Sequence, residues 1–194
     1  MQSSALLTAE EFAAQRHEFA DGGRWTELVA GRPVPLDPPD VEHGTVVLNL
    51  TKALGTFLHR SAEGPPGYPC FEMGLLVARG PDTVRFPALS FFAGGASFAE
   101  TDKVFTAETP ALVVEIVSTQ RRRTGIAERI PAYFARGVQA VWILDPGAKE
   151  AHVARPGRGV ARLEAGERLS GAPVLAGFEI RVGDLFRAPS WWTT

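Results

Sequence analysis

The chain has 194 residues, 45% of them hydrophobic and 22% charged, a size and composition that lead us to expect a single folded domain over residues 1–194. The 20 basic and 22 acidic residues leave a net charge of −2. This excludes the basic surplus by which proteins that bind nucleic acid nonspecifically neutralise phosphate, so any such contact must come from a local patch. One cysteine, Cys70, allows no internal disulfide, and no Cys/His cluster has the spacing of a zinc site. No apolar run approaches the roughly 20 residues that cross a bilayer, and Met1 to Glu11 lacks the pattern of a secretory signal. These features predict a cytoplasmic protein with no membrane partner.

In chain order, residues 8–20 read as a short amphipathic helix, with Thr8 as N-cap and Phe12 and Phe19 facing inward. Trp25 to Leu36 reads as a hairpin turning at Gly31. Pro38-Pro39 then separates it from a long helix capped by Asp40, whose Val46, Val47, Leu50, Leu54, Phe57 and Leu58 recur on one face until Gly64-Pro65-Pro66-Gly67. Two strand-like segments, Tyr68 to Ala78 and Val84 to Phe92, join through a turn at Gly80-Pro81-Asp82. Ala111 to Ser118 is apolar and rich in β-branched residues, the pattern of a strand buried on both faces. Residues 126–136 predict a helix ended by Gly137, and Val138 to Leu144 a second buried strand stopped by Asp145-Pro146. Short strands near His152, Val160 and Ile180 and a last turn from Val182 to Phe186 complete the chain. The order of elements predicts an α/β fold with a mixed central sheet flanked by helices, an N-terminal hairpin and short C-terminal strands. Residues 111 to 144 should form a parallel strand–helix–strand crossover.

Glu115 lies inside Leu112-Val113-Val114-Glu115-Ile116-Val117. A carboxylate in a buried strand needs a cation, a metal or several hydrogen bonds, or must stay protonated. The run itself leaves a functional site and a structural salt bridge equally open. Glu27, between Trp25 and Val29, reads by itself as a solvent-facing strand residue, and His43 as a polar residue of the first helical turn. Arg121-Arg122-Arg123 follows the buried strand directly, in a segment read as a loop. The C-terminal end of a parallel strand is where open α/β sheets place ligands, so these arginines could contact phosphates or simply face water.

Several motifs, in order, carry a family resemblance. They are Arg24-Trp25-Thr26-Glu27-Leu28-Val29-Ala30-Gly31, the Glu42-His43 pair, Leu112-Val113-Val114-Glu115-Ile116-Val117-Ser118, Tyr133-Phe134-Ala135-Arg136-Gly137-Val138 and Val141-Trp142-Ile143-Leu144-Asp145-Pro146. With these the chain resembles the bacterial putative restriction endonuclease family of the PD-(D/E)XK nuclease superfamily, from Leu7-Thr8-Ala9-Glu10-Glu11-Phe12 to Leu175-Ala176-Gly177-Phe178. The resemblance implies a restriction-endonuclease-like fold in which carboxylates hold Mg²⁺ and a lysine orients or activates water for hydrolysis of DNA. It places metal ligation on Glu115 and Glu27, and catalytic roles on Glu115, Glu27, His43 and the lysine position.

Three family positions depart from the pattern. The metal-binding aspartate of the Pro-Asp motif falls on Ala88, the acid before the helix on Gly125, and the lysine on Arg129. Arginine keeps the charge, but its guanidinium is effectively never deprotonated. Pro131 would sit inside a helix that began near Thr124, removing a backbone hydrogen bond. Glu72, Asp82, Asp102 and Glu128 are the acids that could substitute, Glu72 foremost.

The leading expectation is a catalytically impaired nuclease-fold protein, with Arg129 in a salt bridge to Glu115 where the metal would sit. Nucleic-acid binding through Arg121, Arg122 and Arg123 remains open in it. An active Mg²⁺-dependent DNA endonuclease with rearranged ligands is the alternative. A third reading is a non-enzymatic interaction module or homodimer using Phe91, Phe92, Trp191 and Trp192.

Overall fold

The computed structural model describes residues 5–60, 66–94 and 103–192. Helix α1 (Ala9–Gln15) begins at Thr8, whose hydroxyl accepts the Glu11 N–H while the Glu11 carboxylate accepts the Thr8 N–H. This reciprocal cap satisfies two helix-start donors and tilts Phe12 into the interior. The helix is shorter than the sequence pattern suggests, because residues 16–18 and 20–23 turn in two 3-10 segments. Strands β1 (Thr26–Val29) and β2 (Arg32–Pro35) form the expected hairpin. Its turn needs two residues with positive φ, Ala30 at 48° and Gly31 at 74°.

Helix α2 (Val41–His59) starts at Asp40, whose Oδ1 accepts the His43 N–H at 2.8 Å. Val46, Leu50 and Leu54 are buried along one face, with Val47, Phe57 and Leu58 packed beside them. The two segments that read as single strands each break in the middle. The first becomes β3 (Gly67–Phe71) and β4 (Gly74–Ala78); the second becomes β5 (Thr83–Arg85) and β6 (Leu89–Ala93). The breaks fall at Glu72, which adopts a φ of 50°, and around Pro87, which cannot donate to a ladder. Each half then joins a different sheet.

The remaining elements are β7 (Phe105–Thr106), β8 (Leu112–Ile116), α3 (Gln120–Thr124), α4 (Ile126–Ala135), β9 (Ala140–Asp145), β10 (Glu150–Ala154), β11 (Ala161–Leu163), β12 (Arg168–Ser170), β13 (Glu179–Arg181) and α5 (Val182–Leu185). One sheet runs β2-β1-β5-β4-β7 and a second β11-β10-β9-β8-β6-β3, while β12 and β13 pair separately. β8 and β9 are parallel, as the crossover requires, and β8 is antiparallel to β6. The segment read as a loop at Arg121–Arg123 is instead the helical turn α3, capped by the Thr119 hydroxyl. Among the described residues no helix is long and apolar enough to cross a membrane.

Alternation along β8 sends Leu112, Val114 and Ile116 toward α2, where they meet Leu50, Leu54, Phe91 and Trp142. Trp142 stacks on Phe178, with ring centroids 5.8 Å apart. Val113 and Val117 face the opposite side and pack with Val141, Ile143, Tyr133 and the half-buried Ile126 and Ile130 of α4. The same alternation puts Glu115 on the α4 side. A carboxylate thus enters the second core between two valines, and α4 must answer it.

Candidate functional site

Glu115 is 4% exposed. Its Oε1 accepts the Tyr133 hydroxyl at 2.5 Å and an Arg129 N–H at 3.2 Å. Arg129 and Tyr133 are four residues apart on α4, the spacing that stacks two side chains on one helix face. Pro131 lies between them inside the helix, and the chain breaks at Gly125 where α3 ends and α4 begins.

The guanidinium of Arg129, 4% exposed, reaches past Glu115 to Glu27 on β1. One Arg129 N–H meets each Glu27 carboxylate oxygen at 2.9 Å, a bidentate fork. Arg85 of β5 donates a third bond to Oε2, and the backbone N–H of Phe86 a fourth to Oε1, both at 2.9 Å. An ionised carboxylate has about four lone-pair sites, and here each oxygen of Glu27 receives two donors. Glu27 is fully buried, in contrast to the solvent-facing position that its strand suggested. Both faces of β1 are covered.

Two carboxylates and two guanidiniums give this network a formal charge of zero. Burial works to lower the pKa of Arg129, but the Glu115 and Glu27 carboxylates outweigh it, and the guanidinium is held charged more firmly than usual. Burial and then the neighbouring Glu115 push the Tyr133 phenol well above its ordinary value, so it remains a proton donor.

Ala88 is 2% exposed. The antiparallel pairing of β6 and β8 runs as far as Leu89↔Val114, so Ala88 and Glu115 are the next residues on the two strands. The Ala88 methyl group packs in the core cluster of Leu89, Val114 and Ile116. A Cβ on Gly125 would lie 3.5 Å from Arg129 Nε, so position 125 borders the same guanidinium.

His43 is 2% exposed and both its ring nitrogens are without a hydrogen-bond partner. Burial, then the charge of Arg122, lowers its pKa to about 4 despite the opposing Asp40. Its Nε2 lies 3.8 Å from a carboxylate oxygen of Glu72, itself exposed at the β3–β4 break with its N–H on the Ala88 carbonyl. Asp82 is taken up by the N–H groups of Ala9 and Gly80 and by Arg79. Glu128 is exposed on α4, and Asp102 lies outside the described residues. Among the described residues no group of three His, Cys, Asp or Glu side chains could together hold a metal ion.

The three arginines of α3 diverge. Arg121 donates to the Pro35 carbonyl at 3.0 Å, Arg122 is buried and donates to the Asp37 carbonyl at 3.2 Å, and Arg123 pairs with Asp145. Phe91 and Phe92 are core residues, while Trp191 and Trp192 are 63% and 43% exposed.

Two members of the network, Tyr133 and Arg85, were not among the candidate site residues read from the sequence. Tyr133 could have been found from its four-residue offset from Arg129. Arg85 could not, since only the pairing of β1 with β5 brings it to Glu27, 58 positions away in the chain.

A family model described as Uma2, Putative restriction endonuclease, matches residues 9–183. Among solved structures, the chain is similar to a putative nuclease belonging to DUF820 from Anabaena variabilis. The TM-score is 0.75 with 17% identity, over 93% of this chain and 97% of the other. No curated protein matches the chain.

Proposed function

The chain belongs to the Uma2 family of putative restriction endonucleases, and from that premise we propose that it is a nuclease-fold protein that no longer hydrolyses phosphodiesters, its divalent-metal position being filled by the side chain of Arg129. The observation that carries this reading is the saturation of Glu27, whose oxygens take four hydrogen bonds from Arg129, Arg85 and Phe86.

Metal-assisted hydrolysis needs hard oxygen ligands with free lone pairs, open positions for water and phosphate, and a group that can accept a proton. Glu27 offers no free lone pair. Ala88 offers no oxygen. Arg129 cannot serve as a base, because a guanidinium between two buried carboxylates does not lose its proton. The residues present therefore do not fit a divalent cation, and no catalytic step is assigned to one. The guanidinium supplies the compensating charge that the two buried acids require.

Of the arginine triplet, Arg121 and Arg123 keep side chains 54% and 41% exposed, and contact of the outer surface of the α3 turn with a nucleic-acid backbone falls to them. The test is cleavage of supercoiled and single-stranded DNA in Mg²⁺ and in Mn²⁺, with Glu115→Gln as control. No cutting by the native chain is expected. Metal-dependent cutting abolished by Glu115→Gln would replace this reading with that of an active endonuclease using a rearranged ligand set.

A further inference from the structure

On the other side of Phe86 from the ion network lies a second polar site. Its backbone N–H belongs to Glu27, but its ring lies under the guanidinium of Arg16, which is 4.2 Å from the ring centroid. Arg16, Arg24 and Arg122 there line a cavity of about 170 Å³, with Trp25, Phe86 and one acid, Glu72. Three guanidiniums against one carboxylate leave a formal charge of +2 around a small, partly open space.

The arginines are unevenly satisfied. Arg16 is anchored by bonds to the Gly23 and Arg24 carbonyls at 2.8 and 3.2 Å, which fix it as part of the wall. Arg24 is exposed and its side chain has no hydrogen bond or ion pair among the described residues. Arg122 is 6% exposed, and its Nε has no hydrogen-bond partner although one terminal nitrogen is held by the Asp37 carbonyl. A buried donor without an acceptor is costly, and more so when it carries charge. An anion placed in the cavity would meet the excess positive charge that these three arginines carry against Glu72.

We infer that this cavity binds a phosphate group, with Arg16, Arg24 and Arg122 as its cationic wall. Arginine forks match tetrahedral oxyanions, and the ring of Phe86 carries the Arg16 guanidinium on its face. The volume suits a phosphate group with accompanying water and falls below the ~300–1,000 Å³ of pockets for drug-sized ligands. The rest of any nucleotide or strand must therefore stay outside. The site uses none of the charged residues of the Glu27–Arg129–Glu115 network, so it stands or falls independently of whether the chain cleaves DNA.

The test is calorimetric titration of the intact chain with sodium phosphate at constant ionic strength, repeated on Arg24→Ala and Arg122→Gln. Saturable binding is expected, weakened about tenfold or more in Arg24→Ala, the scale of one charge-assisted hydrogen bond. Arg24 has no structural partner to lose, so that variant remains informative if Arg122→Gln fails to fold. A short oligonucleotide with and without a 5′-phosphate identifies the source. Tighter binding of the phosphorylated form than of inorganic phosphate assigns the cavity to strand ends, and equal binding to a free phosphate or small ester. Absence of saturable phosphate binding would overturn the inference, as would binding that is unchanged in Arg24→Ala.

Discussion

Arg129 meets Glu27 through two parallel hydrogen bonds of 2.9 Å, where 4% of one residue and none of the other is exposed. The two residues are 102 positions apart, and their pairing closes α4 against the N-terminal hairpin. In a buried site this geometry matters more than the charges, because removing either partner strands the other in a medium of low polarity.

Replacing Arg129 with methionine should therefore destabilise the fold by about 3–5 kcal/mol, the cost of uncompensated buried carboxylates. Lysine should cost less than methionine but still be measurable, since a single ammonium cannot reproduce the fork on Glu27. Urea unfolding of the three proteins gives the expected order of stability, native above Arg129→Lys above Arg129→Met. Equal stability of native and Arg129→Met would show that the network contributes nothing net.

Tyr133→Phe should lose about 1.5–3 kcal/mol, because it deletes a hydrogen bond to a charged acceptor inside the core. The phenol has a second signature. Its pKa in the folded chain lies well above 10, for burial and the adjacent Glu115 both oppose ionisation. Above pH 10 the unfolded tyrosine loses its proton while the folded one keeps it, so stability falls as pH rises. Absorbance titration should find Tyr133 ionising only as the protein unfolds, and normal titration in the folded state would contradict the buried contact.

His43 gives the opposite slope at acid pH. Burial holds its folded pKa at about 4, against 6.5 for a free imidazole. Above pH 6.5 it is neutral in both states. Between 6.5 and about 4 the unfolded chain takes up a proton that the folded chain refuses, so stability falls with pH by at most about 3 kcal/mol. Below 4 both states carry the proton and the slope ends. NMR titration of the imidazole should place its midpoint well below 6.5, and His43→Gln should flatten the stability profile over this window.

Much of the frame was legible because local physics decides it. The β-branched run of 112–117 could only be a buried strand, Asp40 is a strong N-cap, and Ala30-Gly31 sits between two short strands. The alternation of β8 was enough to make Glu115 conspicuous. Burial of Glu27 was not legible, since a four-residue strand carries no sign of what covers its second face. The split of 68–78 and 84–92 between two sheets depends on the bend at Glu72 and on Pro87, of which only the proline is a visible breaker. The α3 turn had a cap in Thr119, but five residues are too few to show a helical period. β12 is shorter still. The meeting of Arg85 with Glu27 depends on strand pairing, which no local pattern encodes.

Ala88→Asp alone should destabilise the chain by several kcal/mol, because it puts a third carboxylate into the buried core while the guanidiniums of Arg129 and Arg85 are already engaged. Adding Arg129→Lys to it should produce a protein whose melting temperature rises with Mn²⁺, which the native protein's should not. If the double variant shows no response to metal, loss of these two residues is not what separates the chain from a metal-binding relative.

The most direct test of the central claim is Mn²⁺ binding by the native chain, followed by electron paramagnetic resonance and compared with Glu115→Gln. With Arg129 held between Glu27 and Glu115 and Glu27 saturated, we expect the same weak, nonspecific Mn²⁺ uptake from both proteins. Stoichiometric binding by the native chain that disappears in Glu115→Gln would contradict the account, because it would mean that the guanidinium yields its place to a metal.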